Sequence, residues 1–479
     1  MGINTLYLGF FVAYLFVILG IGLWGWRQID SHADFATTDR TLSLPLVTTS
    51  LLATYISSLT IIGGVGYASQ FGWAFITLFS VGVIAGSAFL SLTAHKWYHM
   101  EVNSIFELAT VRFNSSLLRA VAATAITFTF AVILIAQLFG IGFILEGAIG
   151  VSMPVAIVAV GLFITAYTIL GGMVSVARTD LIQVIVMSGG LLIILGVLTS
   201  KLLTDPTVSF TANTEHMTVY GGQTPTNLAL FAQFLALGLG TAVHPYFVQR
   251  LLSAKDVQTA RMAPALTAVG AFLIYVTVTI IGIIGALYLP EAAGDTMAPA
   301  VITDLMGGVF GALALIALIA VVQSTTDSLL HTIGVFFSQD IYGVYVLENP
   351  TSEQLLSWSR RFAGLFGVVC VGLAAAQALA GELTLIAVMA SFAWSVIGGT
   401  LFVMVVAGLY WKRATAQGAL AAVGVGFVVS VSGGELERLG YLPVDSLIVA
   451  VVLSAVVMVI VSLLTAPPEV TGQKETRPV

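Results

Sequence analysis

Along this chain, apolar stretches of about 20 residues follow one another from Thr5 to Leu464, each closed by a polar connection and nearly free of charge inside. That is the length a helix needs to cross the hydrocarbon core of a bilayer. Thirteen spans are predicted, at 4–26, 43–70, 73–95, 118–148, 151–170, 178–201, 226–249, 260–289, 306–340, 357–381, 382–411, 415–433 and 444–465. Only 202–225 and the connections near 96–117 and 341–356 are longer, so no separate soluble domain is expected. The predicted fold class is an all-α polytopic membrane protein, one transmembrane domain over 1–479, closed by a polar tail at 466–479 that is expected to be disordered.

Composition agrees with the pattern and adds one detail to it. Of the 479 residues, 58% are hydrophobic and 8% charged, against roughly 25% charged in soluble domains. A soluble fold of this size could not cover its surface. The 48 glycines and 13 prolines exceed what uninterrupted helices favour, but membrane helices accept both where neighbours or cavity water satisfy the freed backbone groups. Broken helices are therefore expected. Cys370 stands alone, which excludes an internal disulfide and a cysteine metal cluster.

The net charge of −6 says little about partners, because the placement of Lys and Arg is what sets topology. No positive segment precedes the first apolar stretch and no small-residue cleavage pattern follows it, so it is read as a retained helix that starts outside. Thirteen crossings then put the C-terminus in the cytoplasm of a cell whose inner (plasma) membrane holds the protein. Cytoplasmic segments would carry fifteen of the Lys and Arg residues, Arg250 among them, leaving Lys201 and Arg438 outside. A span count wrong by one would mix the two sets.

Two spans carry signs of interruption. In SLLATYISSLTIIGGVGYASQFG, Thr54, Tyr55, Ser57, Ser58 and Thr60 crowd a membrane helix ahead of Gly63, Gly64 and Gly66. Hydroxyls beside glycines are what an unwound helix needs if its carbonyls are to face an ion; the alternative is that small residues pack helix on helix. The seventh span has a related stretch, LGLGTAVHP, with Gly238, Gly240, His244 and Pro245. Interruptions at corresponding places in two halves point to a transporter site at the membrane midplane. The halves would be the first five-helix repeat, 43–201, and the second, 226–411, with two additional helices at 415–465.

The ninth span carries the strongest chemical signal. Ser324, Asp327, Ser328 and His331 fall at i, i+3, i+4 and i+7 and share one helical face. A carboxylate at helix centre costs roughly 2.5–3.5 kcal/mol, so Asp327 should face protein, water or an ion. The alternative is a polar network that holds helices together, with Asp327 paired to His331 one turn on. In GGMVSVARTDLIQ, Asp180 reads either as a functional acid or as an interfacial charge offset by Arg178.

These stretches resemble the sodium:solute symporter family, whose members include proline, pantothenate, monocarboxylate, sialic-acid and sodium–glucose transporters. ATYISSLTIIGGVGYASQFGW is similar to the family's first core helix, GGMVSVARTDLIQ to its fifth, HPYFVQRLLSAKD to the exit of its sixth, QSTTDSLLHTIGVFFSQDIYG to its eighth, and AGLYWKRATAQGALAA to the end of its tenth. The resemblance implies the leucine-transporter-type 5+5 inverted repeat, with one leading and two trailing helices.

It also implies a sodium site between core helices one and eight. The ligands carried over by position are the carbonyls of Ala53, Ile56 and Val321 and the hydroxyls of Ser324 and Thr325. A second cation site would draw on Asp180, Ser324, Asp327 and Ser328, with Asp327 at a position that is often serine in the family. The solute is expected to be a small organic acid or amino-acid-like carboxylate, held by Tyr55, Ser57, Ser58 and Thr60 with Gln137, Thr241 and Trp394 around it. No unpaired membrane-embedded Arg or Lys marks a carboxylate clamp, so bound sodium or helix ends would have to supply positive charge.

The function expected is sodium-coupled symport of that solute into the cell by alternating access, with membrane lipid around the helices and neither nucleic acid nor an obligate protein partner. Proton-coupled symport through Asp327 and His331 is the alternative on the same fold. A solute sensor without net transport is another; family members of that kind carry kinase domains, and none precedes Val479. An intramembrane enzyme would need a nucleophile–base pair or a metal motif such as HExxH, which the sequence lacks.

Overall fold

The computed structural model describes residues 4–29, 31–100, 102–209, 227–292, 294–347, 350–381, 386–439 and 445–467. Among them there is no β-strand, and every long element is a helix. The first, α1 (Thr5–Trp26), is capped by the Asn4 side chain and buries Tyr7, Phe11, Tyr14, Ile18, Gly22 and Gly25 on one face. Its other face exposes Phe16 at 69% and Val17 at 53%. A soluble helix does the reverse with such residues; lipid on the outside accounts for them.

A short helix, α2 (His32–Thr37), follows, held by a Ser31–Asp34 capping box. The next helix, α3 (Leu44–Tyr55), stops at Ile56, whose backbone is extended (φ −86, ψ 107). A π-helical turn at Leu59–Gly63 leads into α4 (Gly64–Phe71), bent 57° from α3. The unwinding thus sits at the hydroxyl-rich stretch, upstream of the glycines. Gly64 and Gly66 serve close approach instead: a Cβ would strike Phe75 at the first and the Gly294 backbone at the second.

The chain continues through α5 (Ala74–His99), α6 (Leu108–Phe113) and α7 (Ser116–Ile149) into α8 (Met153–Thr204). At 1.5 Å per residue, 52 residues of helix would be about 78 Å long, more than twice a bilayer core. Gly172 interrupts it (φ 49, ψ −161), with the Phe35 ring packed where a Cβ would stand. The expected fifth and sixth spans therefore meet at one glycine rather than across a loop.

The second interruption lies between α9 (Asn227–Ala242) and α10 (Pro245–Leu252), where Val243 and His244 leave the helix and Pro245 starts the next one. Beyond it come α11 (Val257–Tyr288), the one-turn α12 (Met297–Ala300), α13 (Gly308–Phe336), the one-turn α14 (Gly343–Tyr345) and α15 (Ser352–Ala380). Helices α16 (Ile386–Tyr410), α17 (Ala416–Arg438) and α18 (Ser446–Leu464) complete the bundle. Among the described residues, ten helices are long and apolar enough to cross a bilayer, and the bent pair α3–α4 makes an eleventh. The tail expectation falls almost wholly on 468–479, and most of the 202–225 connection on 210–226, outside the described residues.

At the centre stands α13, buried on every side from Ala314 to Phe336, against α8, α15, α7, α1 and α3. A helix buried all round is a core element, so polar groups on it must be satisfied by protein or ligand. The linker before α3 is tied to the end of α10 by Leu42 N to Ser253 O (3.0 Å) and Lys255 N to Leu42 O (2.9 Å). The two broken spans are thereby joined at one end of the bundle.

Candidate functional site

The break in α3 faces the polar stretch of α13. With Ile56 extended, the N–H of Ser57 turns to Thr60 Oγ1 at 3.4 Å and no longer completes the helical bond to Ala53. The released carbonyls point at α13. Ser324 Oγ lies 3.0 Å from Ala53 O and 2.8 Å from Val321 O, and Thr325 Oγ1 lies 3.5 Å from Ile56 O. All five groups proposed from the sequence converge, and all five residues are buried. Three carbonyls and two hydroxyls, without a nitrogen or sulfur donor, are the donor chemistry that a hard cation takes. No cluster of three or more His, Cys, Asp or Glu residues that would suit a transition metal occurs among the described residues.

One turn further along α13 lies an ionic cluster around Asp180, Asp327 and Ser328 whose arginine the sequence did not disclose. Arg250, assigned above to a cytoplasmic segment, is fully buried, and so are Asp180 and Asp327. Its guanidinium donates from Nε to Ser50 Oγ (2.8 Å) and Ser50 O (3.2 Å), and from Nη1 to Tyr246 O (3.2 Å). Nη2 reaches Ser328 Oγ (2.6 Å) and Asp180 Oδ2 (3.4 Å). Asp180 Oδ2 also accepts from Ser50 Oγ at 2.5 Å. The partner of Asp180 is therefore Arg250 and not Arg178, which stacks over the Trp24 ring 4.1 Å away.

Asp327 is not paired with His331. Its Oδ2 accepts from the Tyr167 hydroxyl at 2.7 Å, which in turn accepts from Gln323 Nε2 at 3.0 Å. His331 Nε2 is bonded instead to Phe35 O at 2.7 Å. Of the four residues considered for a second cation, Asp180, Asp327 and Ser328 gather around Arg250, while Ser324 turns toward α3. Two carboxylates and one guanidinium leave this buried cluster one negative charge in excess when all are ionised.

The expected solute residues divide into two groups. Tyr55, Ser57, Thr60 and Trp394 line a common cavity with Leu59, Phe79, Val83, Leu237 and Tyr275. Its volume is about 10 Å³, the lower limit for one water molecule, so any solute requires these side chains to part. Ser58, Gln137 and Thr241 stand behind the wall. The Ser58 N–H donates to Gln137 Oε1 at 3.2 Å, and Thr241 packs where a Cβ on Gly86 would lie. Phe247 stacks flat on Tyr55 with centroids 3.9 Å apart. Sequence reasoning passed over Ser50, Phe79, Tyr167, Phe247 and Tyr275, whose types carry no signal until the helices bring them together.

Polar contacts close the bundle at both ends. At the α2 end, Arg119 Nε meets Asp340 Oδ1 at 2.6 Å and Arg119 Nη2 meets Glu107 Oε1 at 3.1 Å, with Ser104 Oγ donating to Asp340 Oδ1 at 2.8 Å. At the opposite end, Asp295 Oδ2 accepts from the N–H of Ile386 at 3.2 Å. Burial raises the Asp295 carboxyl above its usual range, and that backbone hydrogen bond partly offsets the rise.

The family model described as "Sodium:solute symporter family" matches residues 35–426. A curated relative, the uncharacterized symporter YwcA of Bacillus subtilis (strain 168), is 23% identical over 432 residues, covering 86% of this chain and 82% of that protein. Among solved structures, a Na+-coupled sialic acid symporter in a substrate-bound outward-open state superposes with a TM-score of 0.81 at 21% identity, covering 96% of this chain and 98% of that one. Mhp1, a nucleobase-cation-symport-1 family transporter in a closed conformation, gives a TM-score of 0.56 at 15% identity, covering 91% of this chain and 96% of that one. At these identities the structures speak for the fold. The chain belongs to the sodium:solute symporter family: it is a multi-span membrane transporter that couples movement of a solute to sodium, and it is not an enzyme.

Proposed function

We propose that this symporter carries a small organic acid or amino-acid-like carboxylate into the cell, with sodium held between the break in α3 and the polar face of α13. The observation that carries the reading is the convergence of the Ala53, Ile56 and Val321 carbonyls on the Ser324 and Thr325 hydroxyls, all buried and all oxygen. The cluster around Arg250 supplies what those neutral ligands lack. Its excess negative charge, one helical turn from Ser324, is balanced by one sodium ion, so Asp180, Asp327 and Ser328 act as a charge reservoir beside the site or as a second cation position when Arg250 moves away.

Dividing α8 at Gly172 and joining α9 with α10 as one broken span gives thirteen crossings. This reading supports two inverted five-helix repeats, 43–201 and 226–411, then two further helices over 415–465 and a cytoplasmic tail at 466–479. The N-terminus lies outside. Tyr55, Ser57 and Thr60 at the first break share a cavity with Trp394 of the second repeat, while Ser58, held by Gln137, and Thr241 stand behind its wall as further solute residues. Sodium orders the α3 break and with it the solute cavity; rocking of the repeats then opens the end held by Arg119, Asp340 and Glu107.

Thr325→Ala tests the site. Loss of one of five oxygen ligands should cost about 1.5–3 kcal/mol, the worth of a hydrogen bond to a charged group, and raise the sodium concentration for half-maximal uptake by roughly 10- to 100-fold. The measurement is uptake into proteoliposomes across a sodium titration. An unchanged sodium requirement would remove Thr325 from the site, and full uptake in potassium alone would overturn the coupling assignment.

A further inference from the structure

His244 stands at the second helix break, between Ala242 and Pro245, with its imidazole fully buried. Neither ring nitrogen has a hydrogen-bond partner. Four rings pack around it, Tyr246 with centroids 3.7 Å away, Phe247 and Trp394 each at 4.9 Å, and Phe130 nearly parallel at 5.3 Å, and the Arg250 charge lies within electrostatic reach. A neutral imidazole has one N–H donor and one acceptor nitrogen, and leaving both unmet in an apolar surround is costly. Thr241 Oγ1, one turn back, is buried and likewise unpartnered. It lies beside the Tyr55 hydroxyl but outside hydrogen-bonding geometry, and that hydroxyl is engaged with Ser87 Oγ at 3.0 Å.

The orphaned groups lie close behind the solute cavity. Trp394, on the cavity wall, touches the His244 ring, and Phe247 joins that ring to Tyr55 on the opposite wall. Leu59, Phe79, Val83, Leu237 and Tyr275 complete the wall with Ser57 and Thr60, and the Thr60 hydroxyl is already engaged by Ser57 N and Tyr55 O. Among the described residues, neither a lysine nor an arginine lines it. The unmet hydrogen-bonding groups behind Trp394 and Phe247 are thus the polar feature that a solute entering past these rings would meet, and Leu59, Phe79, Val83 and Leu237 suit an apolar body.

We propose that His244 and Thr241 form the polar anchor for the solute, and that the solute is a small monocarboxylate with an apolar remainder. One carboxylate oxygen accepts from the imidazole N–H and the Thr241 hydroxyl when Trp394 and Phe247 part. The apolar part rests against Tyr55, Trp394 and Leu237. A dicarboxylate would bring a second charge to a wall with no lining lysine or arginine to receive it. This inference rests on the reading of the solute as a carboxylate.

The test uses the full-length protein in proteoliposomes with propionate as the probe, and propionamide, succinate and glucose as comparisons. Wild type should take up propionate in a sodium-dependent way and the other three at least 10-fold less well. His244→Phe, which keeps a ring in the cage and removes its hydrogen bonds, should raise KM for propionate at least 10-fold, and His244→Gln should stay within about 3-fold of wild type. A sodium-induced rise in thermal midpoint, measured without solute, should be the same in all three proteins and so reports that the variants are folded. Propionate uptake by His244→Phe with unchanged KM would overturn the anchor while leaving a carboxylate solute in place. Failure of wild type to take up propionate, with uptake of glucose or propionamide instead, would overturn the solute class and the anchor with it. A variant that has lost the sodium response is replaced by Thr241→Val, for which the same KM criterion decides.

Discussion

Removing Arg250 should injure the protein more than removing the acid it is paired with. The guanidinium has five oxygen partners: Ser50 Oγ, Ser50 O, Tyr246 O, Ser328 Oγ and Asp180 Oδ2. Arg250→Met keeps an unbranched stem of similar reach but leaves Asp180 and Asp327 buried with no fixed cation. Breaking a buried pair by removing one partner costs about 3–5 kcal/mol. Asp180→Asn leaves the guanidinium its four other acceptors and Asp327 nearby, so the loss is nearer one charge-assisted hydrogen bond, about 1.5–3 kcal/mol. At about 2 cal/mol/K per residue, the unfolding entropy of 479 residues is about 1 kcal/mol/K. Arg250→Met should therefore lower the thermal midpoint of the purified protein by about 3–5 °C and Asp180→Asn by roughly half as much. Arg250→Lys should fall between, because an ammonium restores the charge without the planar fork. A midpoint for Arg250→Met within 1 °C of wild type, or a larger fall for Asp180→Asn, would refute the assignment of Arg250 as the hub.

Two further outcomes follow from the backbone and from a buried histidine. Gly172→Ala places a Cβ at φ 49, ψ −161, a region open essentially to glycine, and against the Phe35 ring; strain of about 1–3 kcal/mol is expected, read as a lower thermal midpoint, and an unaltered midpoint would refute the break in α8. Burial pushes the His32 imidazole down to about 4, so its stabilising neutral state is complete above the unfolded value near 6.5 and is lost as pH falls toward 4. Between pH 7 and 5 that amounts to about 2 kcal/mol. His32→Gln should flatten the fall in thermal midpoint over this range, and an identical pH profile in the variant would sink the reasoning.

Much of the candidate site was legible in the sequence because its signals are local. Hydroxyls crowded before glycines in a membrane span mark a helix with reason to unwind, and a carboxylate and three polar residues at i, i+3, i+4 and i+7 mark a face that lipid will not accept. Both features survived folding: α3 breaks at Ile56 and that face of α13 is buried. The second interruption at His244–Pro245 was equally plain, since a proline ends the preceding helix wherever the fold places it. Gly172 was less so. Hydropathy dips between two spans whether a loop or a single left-handed glycine joins them.

The apolar run lengths alone indicated a multi-span helical membrane protein, and the type and spacing of residues from Thr54 to Thr60 and from Gln323 to His331 marked one span with reason to break and one face with reason to be buried. Which charges belong together was decided only by packing. Asp180 sits two residues from Arg178 in the chain, yet α3, α8, α10 and α13 bring it to Arg250, 70 positions away, while Asp327 passes over His331, one turn along, for Tyr167 of α8. The physical reason is burial. The half-buried Arg178 is satisfied by the Gln28 amide oxygen and the Trp24 face, and its neighbour in sequence gains little from it. Inside the bundle water is gone, so each charge must take whatever partner the converging helices present, and no local pattern records that choice.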